Sequence, residues 1–129
     1  MLWYIAVGSA IGGVCRYVLG GLVQRYTDTA FPLGTLIINV TGSLALGAIV
    51  RYSLETPALT PEMRALLTVG ICGGYTTFST FSYETALLLE DGQWTTAGWY
   101  VAGSVLLSLV GMFGGFALAR EVIALRGRI

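Results

Sequence analysis

The chain has no histidine and no lysine, and only 11% of its 129 residues are charged. Without histidine it lacks the commonest metal ligand and the side chain best placed for general-base work near neutral pH. Its formal net charge of +0 offers no excess positive field to nucleic-acid phosphates. Its two cysteines, Cys15 and Cys72, sit far apart in apolar stretches, so they read as small buried residues rather than a redox or metal pair. No nucleophile–base pair, metal-ligand set or P-loop is visible, and the chain is not read as an enzyme.

What the chain has instead is apolar surface: 55% hydrophobic residues and a mean hydropathy of +0.76. Soluble domains average about 25% charged residues, and a protein this small cannot hide so much apolar surface from water. A bilayer can accept it. A helix needs about 20 apolar residues to cross the hydrocarbon core, and four stretches qualify: about 2–23, 31–50, 65–89 and 94–119. The expected fold is therefore all-α and integral to the membrane, a single four-helix domain over residues 1–129. The N-terminal stretch lacks a basic leader and runs on too long for a signal core, so it reads as a retained span.

Between the spans lie short polar connections. Thr60-Pro61-Glu62 suits a helix N-terminus. Trp3, Tyr4, Trp94, Trp99 and Tyr100 fall at or near predicted helix ends, mostly as interfacial anchors. Glycines recur four apart at Gly8/Gly12, Gly70/Gly74 and Gly111/Gly115, a spacing that lets helix backbones approach closely in lipid. All seven basic residues are arginine, and Arg51, Arg64, Arg120, Arg126 and Arg128 share the end that holds both termini, against Arg25 at the other end. That bias favours termini in the cytoplasm. Arg16 and Glu84 are the charges well inside the spans. Such charges are functional candidates, although Arg16 near a helix end can also snorkel as a structural anchor.

The third span is unusual. After Gly73-Gly74-Tyr75 come Thr76, Thr77, Ser79, Thr80 and Ser82, interleaved with Phe78 and Phe81. Glycine is costly inside a helix, and Ser and Thr compete for backbone hydrogen bonds, so a break is expected near Gly73-Gly74. Freed backbone groups cannot face lipid. They face an ion or water, as in broken-helix ion sites, or they form a polar packing seam; the residues alone leave both open. The second span carries Asn39 four residues after Thr35, and the fourth carries Tyr100, Ser104 and Ser108 on one face. These are either interhelical contacts or a wetted track.

The run Gly73-Gly74-Tyr75-Thr76-Thr77-Phe78-Ser79-Thr80-Phe81-Ser82 closely resembles the third-helix motif of the small fluoride channels, Fluc or CrcB. Gly12-x-x-x-Arg16-Tyr17 and Gly34-Thr35-Leu36-x-x-Asn39-x-x-Gly42 extend the resemblance over nearly the whole chain. It implies passive export of fluoride across the bacterial plasma (inner) membrane, through two pores in a dimer of oppositely inserted copies. It further implies a structural Na⁺ at the dimer centre, held by the main-chain carbonyls of Gly73 and Thr76. The pore residues implied are Asn39, Phe78, Phe81, Tyr100 and Ser104, with Ser79, Thr80 and Ser108 beside them; Arg16 and Gly74 are structural. A phenyl ring turned edge-on presents its positive rim to an anion. Two rivals are a small proton-coupled exporter, for which Glu84 is the only candidate carboxylate, and a membrane protein that binds other helices without transport.

Overall fold

The computed structural model describes residues 1–128. Among these, every regular element is a helix. Helix α1 spans Leu2–Thr27, α2 Leu33–Glu55, and α6 Trp94–Arg126. Each of these three is long and apolar enough to cross a membrane. All outrun the expected spans at their C-terminal ends, because the apolar core is continued by residues that remain helical in the interface. At about 1.5 Å per residue, the 33 residues of α6 reach about 50 Å, well beyond a hydrocarbon core of about 30 Å. Its projecting tail is tied back to α2: Arg126 donates to the Tyr52 hydroxyl, and its guanidinium lies 5.5 Å from the Tyr52 ring centroid.

The expected third span is not one helix. It comprises α3 (Pro61–Ala65), a π-helical stretch (Leu66–Cys72), α4 (Gly73–Tyr75) and α5 (Phe78–Glu90). Thr60 caps its start, accepting from the Met63 amide at 3.2 Å. The break also lies later than expected. Gly73 and Gly74 are helical, and the chain turns extended at Thr76 and Thr77. The glycines here serve close approach rather than disruption: a Cβ on Gly74 would stand 2.6 Å from the Ser9 carbonyl oxygen, and one on Gly8 would stand 2.5 Å from that of Leu66. Gly12 meets Ile71 and Tyr75 in the same seam. Residue numbers rise together along this seam, so the broken segment runs beside α1 in the same direction.

A second seam joins α2 and α6. A Cβ on Gly111 would meet the Val40 carbonyl oxygen at 2.8 Å, and one on Gly115 would strike the Leu44 carbonyl. Tyr100 is not an interfacial anchor. It is fully buried, clustered with Leu36, Leu88 and Ala97. Trp3, Trp94 and Trp99 are exposed, as membrane-interface residues are.

Candidate functional site

The two-residue break between α4 and α5 organises the centre of the molecule. A helix that stops leaves carbonyls without donors, and one that starts leaves amides without acceptors. Part of that deficit is met by Asn39 of α2: its Nδ2 donates to the Thr77 carbonyl at 3.1 Å, and its Oδ1 accepts from the Thr77 amide at 2.8 Å. Thr77 is also the N-cap of α5, its Oγ1 accepting from the Thr80 amide at 3.2 Å. These two amides are the i+4 partners that the Gly73 and Thr76 carbonyls have in an unbroken helix. Both carbonyls are therefore released from the helical ladder.

Two cavities meet at Thr77. The smaller, about 290 Å³, brings together Asn39, Phe78, Phe81, Ser104 and Ser108. The Phe78 and Phe81 rings are tilted against each other at a centroid distance of 5.5 Å. Phe78 is 78% exposed, so the cavity reaches the subunit surface. The hydroxyls divide into two groups. Thr41, Thr68, Thr76, Ser82 and Thr85 each donate to the main-chain carbonyl four residues back. The buried Ser104 hydroxyl has no partner among the described residues. Leaving such a group unsatisfied costs about 1–3 kcal/mol, so its place on a cavity wall marks a position for a ligand or water.

The larger cavity, about 680 Å³, lies toward the end opposite the termini and is lined by Arg16, Thr35, Thr80, Glu84 and Asp91 among others. Glu84 binds two neighbouring helices. Thr35 Oγ1 donates to Oε1 at 2.8 Å, and the Tyr100 hydroxyl donates to Oε2 at 2.6 Å. The single hydroxyl face expected along α6 thus divides: Tyr100 is committed to Glu84, whereas Ser104 and Ser108 line the smaller cavity. Thr80 lies on the larger cavity, accepting from Thr77 Oγ1 at 2.9 Å, and the exposed Ser79 lies 3.4 Å from the same oxygen. Gly74 packs on Ser9.

Three features went unnoticed in the sequence. Thr77 is the hub of the break. Ser43 lines the smaller cavity; its position four residues after Asn39 was the available signal. Glu84 joins Thr35 and Tyr100 through contacts 49 and 16 residues apart, beyond the reach of helical periodicity.

Comparison with known proteins agrees with this architecture. The family model described as CrcB-like protein, Camphor Resistance (CrcB), matches residues 3–116. A protein of Geobacter sulfurreducens named fluoride-specific ion channel FluC is 48% identical over 118 residues, covering 92% of this chain and 95% of its own length. The protein of the same name from Rhodospirillum centenum is 44% identical over 124 residues, covering 96% and 98%. That from Rhizobium meliloti is 41% identical over 119 residues, covering 92% and 95%. The match runs through α1, α2, the broken segment and most of α6, so this multi-pass membrane protein belongs to the CrcB-like family.

Proposed function

We propose that the chain forms a channel through which fluoride leaves the cytoplasm passively, and that two oppositely inserted copies make a dimer with two pores. The observation that carries this is the smaller cavity, where Asn39, Ser104 and Ser108 face the Phe78 and Phe81 rings and the buried Ser104 hydroxyl has no partner among the described residues. The name borne by the relatives supports fluoride as the ion and transport, rather than catalysis, as the activity.

The energetics require a series of partners. An isolated ion in a low-dielectric medium costs on the order of tens of kcal/mol, and one hydrogen bond to a charged group returns about 1.5–3 kcal/mol. Asn39 has a second amide hydrogen beyond the one given to Thr77, and Ser104 and Ser108 add hydroxyls. The first amides of α5 form the positive end of a 13-residue helix beside the same cavity. Edge-on rings at Phe78 and Phe81 provide weak contacts, which suits conduction, since a strong site retains its ion. Thr80 lines the larger cavity, Tyr100 is joined to it through Glu84, and Ser79 lies beside the Thr77 hydroxyl where the two cavities meet. Direction follows the membrane potential: about 2.3 kcal/mol per charge per 100 mV corresponds to roughly fiftyfold depletion of a monovalent anion inside the cell.

A second copy is called for by the polar groups that reach the subunit surface near Phe78, because unsatisfied polar groups facing lipid are costly. The Na⁺ implied by the family resemblance fits the break. The Gly73 and Thr76 carbonyls have lost their helical donors, and main-chain oxygens suit a hard cation. These two residues would hold it, and the ion would supply fixed positive charge near the path.

The decisive experiment is reconstitution of the purified protein in liposomes, read with a fluoride electrode and with chloride as control. Rapid fluoride efflux under an ionophore-set potential, with chloride retained, is the expected result. Vesicles that hold their fluoride overturn the proposal.

A further inference from the structure

We infer that Ser43, which the family motif does not bring forward, is a fluoride-coordinating residue that carries the donor series one helical turn beyond Asn39 toward the end bearing the termini. The inference rests on the channel proposal and adds a residue and a direction to it.

Ser43 lies on the same face of α2 as Asn39 and lines the same cavity wall. Among the described residues its hydroxyl makes no bond to its own helix, whereas the neighbouring Thr41 Oγ1 donates to the Ile37 carbonyl at 2.7 Å. Serine or threonine in a helix commonly satisfies itself by that back-bond. A serine that does not, and that lines a polar cavity, is free to donate into it.

The α2–α6 seam sets the order of the donors. Both helices run toward the end with the termini. Gly111 of α6 packs against Val40 and Leu44 of α2, and Gly115 packs against Leu44 and Ala48. Residue 111 is therefore level with about residue 42, which brings Ser108 level with Asn39. Ser104 comes one turn earlier and Ser43 one turn later. At about 1.5 Å per residue, four residues make a step of about 6 Å. The cavity thus carries three steps, Ser104, then Asn39 with Ser108, then Ser43. Beyond them the wall offers Leu46, which has no donor. Ser43 is the last polar side chain before that apolar stretch, where an ion gains or gives up much of its water.

The test uses full-length protein in liposomes, with Ser43→Ala, Ser43→Thr and Ser43→Cys compared with the unmodified chain. Size-exclusion elution in detergent reports the folded assembly, and Ser43→Cys, which keeps the shape of the side chain but has only a weak donor, serves if Ser43→Ala fails to fold. Loss of one hydrogen bond to an ion corresponds to about tenfold or more. Ser43→Ala and Ser43→Cys are expected to slow fluoride efflux by about that factor, and Ser43→Thr, which keeps the hydroxyl, is expected to restore most of it. Unchanged efflux in folded Ser43→Ala or Ser43→Cys overturns the assignment of Ser43 and leaves the channel proposal standing. An equal loss in Ser43→Thr marks a packing role and overturns it as well. If the unmodified chain passes no fluoride, the channel proposal itself fails.

Discussion

Replacing Asn39 with alanine distinguishes two physical roles that the sequence leaves open. If the amide only joins two helices, its loss should cost what interhelical hydrogen bonds in membranes usually cost, about 0.6 kcal/mol on average and at most about 1.7. Asn39 instead closes both the donor and the acceptor of Thr77 at the break, at 2.8 and 3.1 Å. Alanine would leave a main-chain N–H and a carbonyl unpaired, at about 1–3 kcal/mol each. The expected loss is therefore about 2–6 kcal/mol, above the range of an ordinary seam. Reversible unfolding by SDS titration in mixed micelles, followed by helical circular dichroism, measures it. Asn39→Asp separates the functions further: one carboxylate oxygen can still accept from the Thr77 amide, but the donor to the Thr77 carbonyl is lost and a negative charge enters the anion path. It should fold better than Asn39→Ala and pass less fluoride. A loss below about 1 kcal/mol for Asn39→Ala would refute the brace, and normal flux in Asn39→Asp would remove Asn39 from the path.

Phe78→Ile and Phe81→Ile should each cut fluoride efflux severalfold while the assembly elutes unchanged; normal rates in both would place the rings outside the pore. Gly74→Ala should destabilise the fold by about 1–3 kcal/mol or more, since its Cβ would stand 2.6 Å from a main-chain oxygen, whereas Gly114→Ala, with nothing within 4 Å, should fold as the parent does. Equal behaviour on size-exclusion would count against the close α1 seam. Fluoride efflux should not depend on an imposed proton gradient; gradient-driven uptake abolished by Glu84→Gln would favour the exporter instead. A C-terminal tag probed in intact and opened inverted vesicles should be reached from both sides, despite the arginine bias toward one end, and a single orientation would exclude the antiparallel homodimer.

The membrane-embedded, all-helical character of the chain was legible because it depends on composition and on apolar run length, quantities local to the sequence. The same holds for the presence of a break in the third segment, since consecutive Gly, Thr and Ser weaken a helix wherever it lies. Its position was not legible. Gly73 and Gly74 remain helical, with Gly74 packed against Ser9 of α1, and the chain opens at Thr76-Thr77 because Asn39, 38 residues away, holds the freed groups of Thr77. The π-helical stretch before the break is equally invisible, as no residue type in Leu66–Cys72 demands it.

Residue types and helical spacing alone therefore determined a multi-pass helical protein with hydroxyls, an amide and phenyl rings within its apolar segments. Tertiary structure decided which of these share a space. It turned Tyr100 toward Glu84, left the Ser104 hydroxyl without a partner among the described residues, and set Ser43 in the same wall as Asn39. Periodicity states which face of a helix a side chain occupies. What that face meets depends on how closely neighbouring backbones approach, and here glycine contacts between helices far apart in the chain set that approach.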